Sequence, residues 1–187
     1  MPYDLWPATD RDLVVQARQS LQADLDEMRA IYTGLDEEGR HRPWAPGEWS
    51  PAQILDHLNQ VNAPYSGHVV SLASQAQAGG DAPVSWGLGM KFFLKVAGSR
   101  SRLPAPKIVH PPARPDAEAV WTEFERITAS AIDSMAGLEF KAVSRVQGRH
   151  PMLSILPFSL SDAVHMLGMH TRYHADQFRR LAVRSSG

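Results

Sequence analysis

The chain has 187 residues and a mass of 20.7 kDa, with 43% hydrophobic and 21% charged residues, a profile of a globular protein long enough to bury its own core. Its 19 Lys and Arg nearly cancel its 20 Asp and Glu, for a formal net charge of -1, so the basic footprint of a nucleic-acid or anionic-membrane binder is missing. There is no cysteine, which excludes disulfides, thiolate metal ligands and a cysteine nucleophile.

The opening segment, MPYDLWPATDRD, has neither the basic nor the apolar region of a secretory signal. No apolar run approaches the roughly 18–20 residues of a membrane span. The expectation is one domain over residues 1–187, cytoplasmic, without nucleic-acid or membrane partners.

Apolar residues recur at helical spacing in four stretches. The first opens after Thr9, a candidate N-cap, and carries Val14, Ala17, Leu21, Leu25, Met28 and Tyr32. The second starts at Ser50-Pro51-Ala52-Gln53, a capping box with proline at the first helical position, and carries Ile54, Leu58, Val61, Tyr65, Val69 and Leu72. Pro64 inside it removes a backbone donor and predicts a kink or a break. From Gly79 to Arg114 runs a connection holding five of the 14 prolines; a long segment of this kind tends to be functional. Within it, Trp86 to Val96 is apolar enough for a short helix. The third stretch follows Pro115, carries Val120, Phe124, Ile127, Ala131 and Leu138, and ends near Gly137. The fourth begins at Ser159, with Asp162 three residues on, and carries Leu160, Val164, Leu167, Thr171, His174, Phe178 and Leu181.

Strand signals are weak throughout. The pattern predicts an all-α fold, a four-helix bundle with a long Pro-rich connection between helices two and three.

Eight histidines are the main chemical asset. His170 and His174, four apart on the last helix, stand one turn apart on one face, the spacing for two imidazoles on one metal ion. His174 lies in the apolar stripe and His170 at its edge. His57 sits at the edge of the second stripe, where it could point at the same cavity, although a lone interior histidine fits the position better on spacing alone. Facing helices build metal sites in this way, although hydrogen-bonded core histidines satisfy the same pattern. His68 is about 16 Å further along the axis than His57, too far to share an ion. His165 faces elsewhere, and His41, His110 and His150 fall in expected surface loops. Gln177, three after His174, is placed to hydrogen-bond a ligand or a bound water, and an exposed glutamine fits the same position equally well. The arginines at 179, 180 and 184 suit the negative end of the last helix. Phosphate loops, dinucleotide fingerprints and nucleophile elbows are absent.

These residues carry a resemblance. The run from Glu48 through Trp49, Ser50 and His57 to Leu58 resembles the Trp-Ser and His-Leu pattern of the DinB-like family (the DinB/YfiT superfamily). The closing run His170-Thr-Arg-Tyr-His174-Ala-Asp-Gln177-Phe resembles that family's H-x-x-x-H-x-x-Q signature. The His150-Pro151 step and the Pro-rich connection fit the same order. The resemblance spans nearly the whole chain. It implies a four-helix bundle, often a homodimer, with a divalent ion (nickel, zinc or iron) on His57, His170 and His174 and Gln177 behind them. It also implies a metal-dependent enzyme acting on a small-molecule substrate, a thiol-dependent S-transferase using a low-molecular-weight thiol in preference to a hydrolase. A non-catalytic metal-binding stress-response module is the alternative from another class. Two positions depart from the pattern. Phe178 stands where an aliphatic residue is common, and Pro64 is placed to reshape the pocket wall.

Overall fold

The computed structural model describes residues 6–87, 90–91 and 105–185, with side chains up to residue 180. Among these are five α-helices: α1 (Asp10–Thr33), α2 (Glu37–His41), α3 (Pro51–Ala73), α4 (Ala117–Ala136) and α5 (Leu160–Ser185). Two three-residue strands, β1 (Gln147–Arg149) and β2 (Pro157–Ser159), pair antiparallel with Gly148 opposite Phe158. No helix among the described residues is long and apolar enough to cross a membrane. The fold is the expected all-α bundle, with α1, α3, α4 and α5 as its four long helices. The helix expected over Trp86 to Val96 lies largely outside the described residues.

Each long helix starts where its side chains can satisfy the first free backbone N–H groups. Thr9 and Asp12 form a reciprocal capping box on α1, and the Asp12 N–H donates to Thr9 Oγ1 at 3.1 Å. Ser50 and Gln53 do the same for α3, with Pro51 at the first position. Asp116 accepts from the N–H groups of Glu118 and Ala119 at the start of α4. Ser159 and Asp162 close the start of α5.

Of the kink or break expected at Pro64, the break does not occur, and α3 continues through it. Tyr65 and Val69, one and five residues later, are buried in the core, and their packing outweighs one lost backbone bond.

Cross-helix contacts set the directions. Ser20 meets Arg172 and Glu27 meets Arg179, so α1 and α5 are parallel. Asn62 meets Thr171 while His68, further along, meets Phe158 ahead of α5, so α3 runs against α5. Gln53 bonds Pro112 and Asn59 bonds Val120, so α3 and α4 are parallel. Parallel neighbours cannot be joined by a short turn. The chain must return along all of α3, whose 23 residues rise about 34 Å at 1.5 Å each. This is why the connection between α3 and α4 is long.

The core falls into two clusters along the axis. One gathers Leu13, Leu21, Tyr65, Val69, Met135 and Val164 near the strands. The other gathers Met28, Tyr32, Leu55, Leu58, Phe124 and Phe178 at the opposite end. Full burial of each such side chain contributes about 1.5–3 kcal/mol. Tyr32 spans the second cluster, stacked on Trp121 at 5.2 Å, and donates its hydroxyl to the Ala117 carbonyl.

Candidate metal centre

His57 lies in the second turn of α3, and His170 and His174 face it from α5. One ring nitrogen from each comes within 4.8 Å of the others. Their ring centroids are 5.2, 5.1 and 4.7 Å apart. His57 and His174 are buried and His170 half-buried, so His170 is the most exposed of the three rings.

The second nitrogen of each ring is already engaged. His57 Nδ1–H donates to the Val109 carbonyl at 2.8 Å. His170 Nδ1–H donates to Asn62 Oδ1 at 3.1 Å, and His174 Nδ1–H to Gln177 Oε1 at 2.8 Å. Asn62 is itself held in orientation, because its Nδ2 donates to Thr171 Oγ1 at 2.9 Å. These partners assign the protons to Nδ1 and leave three Nε2 lone pairs.

The Nε2 atoms of His170 and His174 are 3.2 Å apart. Two lone pairs at that separation repel unless a proton or a cation lies between them. Nitrogens on a tetrahedral ion at 2.0–2.1 Å sit about 3.3 Å from one another, so the observed spacing fits a shared ion. Burial supplies the matching protonation state. It pushes His174 down to about 3 and His170 well below its ordinary 6.5, the neighbouring imidazoles adding to the effect, and it lowers His57 as well. All three are neutral at pH 7, the form that binds metal.

Two aromatic rings border the cluster. Trp49 packs on His57 at 4.8 Å, placed there by the capping box that begins at Ser50. Tyr173 is half-exposed and lies edge-on to His174 at 5.0 Å.

The sequence reading brought together His57, His170, His174 and Gln177, and it missed Asn62 and Val109. A signal for Asn62 exists: it is a buried amide inside a helix, beside Val61 and three before Tyr65, where its helix propensity is poor. Val109 acts through its carbonyl, which no residue identity encodes.

The other histidines depart in part from expectation. His68 bonds the Phe158 carbonyl at 3.3 Å, away from the cluster. His165 is fully buried beside Trp86. His41 is not on a loop surface, because it ends α2 with its side chain 5% exposed, bonded to Glu37. His150 is half-buried; its Nδ1 accepts the N–H groups of Met152 and Leu153, and its Nε2–H donates to the Tyr65 hydroxyl at 3.1 Å. His110 is exposed, as expected, and bonds Ala105. Arg179 does not serve the end of its helix. Its guanidinium reaches across to Asp24 and Glu27 on α1, where carboxylates outcompete helix-end carbonyls as partners.

The profile of the DinB superfamily matches residues 16–178, a span that includes all three histidines, Asn62, Val109 and Gln177. No curated protein matches the chain.

Proposed function

The chain belongs to the DinB superfamily, and from that membership we propose that it is a metal-dependent enzyme of the thiol-dependent S-transferase type. His57, His170 and His174 hold one divalent ion, nickel or zinc in preference to iron, and the site takes a low-molecular-weight thiol together with a small-molecule substrate. The supporting observation is the convergence of three neutral imidazoles whose Nδ1 protons are all taken up by Val109, Asn62 and Gln177.

When bound, a divalent ion supplies Lewis acidity that lowers the pKa of a thiol or water toward neutrality. The protein's own part is orientation and exclusion of water. The three Nδ1 acceptors keep each ring from turning its lone pair away. Trp49 and the core behind His174 exclude water from their side, while the half-buried His170 and half-exposed Tyr173 leave room for a ligand. The chain contains no cysteine, so a sulfur ligand must arrive from outside.

The test uses tag-free, cobalt-substituted protein titrated with glutathione, mycothiol or bacillithiol. The expected result is a saturable near-ultraviolet sulfur-to-metal band, absent in His170→Ala. No band with any thiol, together with ester or amide cleavage by the zinc or nickel form, overturns thiol transfer in favour of hydrolysis. If neither signal appears, a non-catalytic metal-binding module replaces both.

A further inference from the structure

Between β1 and β2 lies the run Pro151-Met152-Leu153-Ser154-Ile155-Leu156, six residues without a charge. Its large side chains stand in solvent, with Ile155 83% and Leu153 55% exposed and Met152 and Leu156 also open. A contiguous apolar patch of this kind is uncommon on a protein surface and marks a binding site.

The loop is held in shape by its own bonds. His150 N–H donates to the Leu156 carbonyl, and Leu156 N–H to the Leu153 carbonyl, both at 2.9 Å. His150 Nδ1 takes the N–H groups of both Met152 and Leu153. The apolar side chains therefore project from a shaped loop rather than from a slack one.

Register places that loop along α3. A Cβ at Gly148 would lie 2.6 Å from the His68 ring, so the hairpin backbone rests on His68. Two residues further, His150 meets Tyr65. The hairpin thus climbs toward the start of α3, the direction in which Asn62 and His57 lie. Asn62 is three residues beyond Tyr65, about 4.5 Å along the helix. The loop continues beyond His150 as a turn, with Leu153 N–H donating to the His150 carbonyl at 3.2 Å. Phe158 on the returning strand packs on Tyr65 and His68, and β2 leads straight into α5. The hairpin therefore occupies the groove between α3 and α5, whose other end holds the three histidines.

We propose that the loop from Met152 to Leu156 is the specificity wall of the metal centre, binding the apolar alkyl or aryl part of a small molecule whose polar head reaches the histidine cluster. The proposal rests on the metal-site reading above and adds the substrate class to it. Continuity along α3, from His150 on Tyr65 to Asn62 on His170, favours this occupant. Half-exposed Tyr173 beside His174 extends the apolar border on the α5 side.

The probes are hydroxamates that share one metal-binding head and differ in tail length, from acetohydroxamate to octanohydroxamate. Each is titrated into cobalt-substituted protein and read by the visible cobalt spectrum. In the unaltered protein, affinity should rise about two- to fourfold per added methylene along the series. In the double variant Leu153→Ser, Ile155→Ser, acetohydroxamate should bind as before while the rise with tail length is lost. A variant that keeps the full rise overturns the proposal and leaves the metal reading standing. If the unaltered protein takes up no cobalt, the metal reading falls and the proposal with it; if it takes up cobalt but no hydroxamate perturbs the spectrum, the proposal alone falls. If the variant keeps the rise but sediments as a smaller species than the unaltered protein, the patch joins copies of the chain, which also overturns it.

Discussion

Asn62 links the two helices that carry the histidines. It accepts from His170 and donates to Thr171, so a single amide sets both the tautomer and the tilt of one ring. In Asn62→Leu the His170 Nδ1–H loses its acceptor, and metal affinity should fall about 10- to 100-fold, as measured by competition with a chelating dye. Asn62→Asp keeps an acceptor and should retain most of the affinity; equal losses in both variants would mean that Asn62 acts through packing alone. Protonation gives a second test at this scale. His174 is pushed down to about 3 in the folded chain, whereas an unfolded histidine titrates near 6.5. Below that value the unfolded chain takes up a proton that the fold refuses. Stability of the metal-free protein should therefore be full above about pH 6.5 and fall as pH drops toward 3, by about 1.4 kcal/mol per unit for this one residue. Urea midpoints at pH 7, 6 and 5 check this, and a flat profile contradicts it.

Helix α3 shows how a start signal reaches the site. Ser50 accepts from Gln53 N–H and Gln53 returns the bond, which orients the first turn and with it Trp49 against His57. Ser50→Ala should cost about 1 kcal/mol in urea unfolding and weaken metal binding less than Asn62→Leu does. Caps and stripes of this kind are side-chain patterns, which is why α1, α3, α4 and α5 and the pairing of His57 with His170 and His174 were legible in the sequence. Shorter pieces were not. α2 has five residues and no room for a stripe, and three-residue strands show no alternation. The hairpin is held by the His150 side chain and by backbone bonds that composition does not encode. The carbonyl of Val109 was invisible for the same reason. At Pro64 the local rule about one backbone bond does not end the helix, since burial of Tyr65 and Val69 after it outweighs that bond.

At the scale of the whole molecule, two core clusters lie along the axis and do not depend on an ion. A chelator should lower the melting temperature in proportion to the linkage lost and leave a helical far-UV spectrum at 25 °C. Collapse of that spectrum on chelation would make the ion a structural one. The arrangement of directions has a further consequence, for biosynthesis. α1 pairs with α5 through contacts such as Ser20 with Arg172, 152 residues apart, and Asn62 and His170 are separated by 108. Contacts at that separation are among the last to form. While the chain is being made, His57 is an isolated imidazole, and the two α5 histidines emerge only after all the other helices. Loading of a metal at this site would thus follow synthesis of the last helix, and a ribosome-bound chain arrested before α5 should hold no ion.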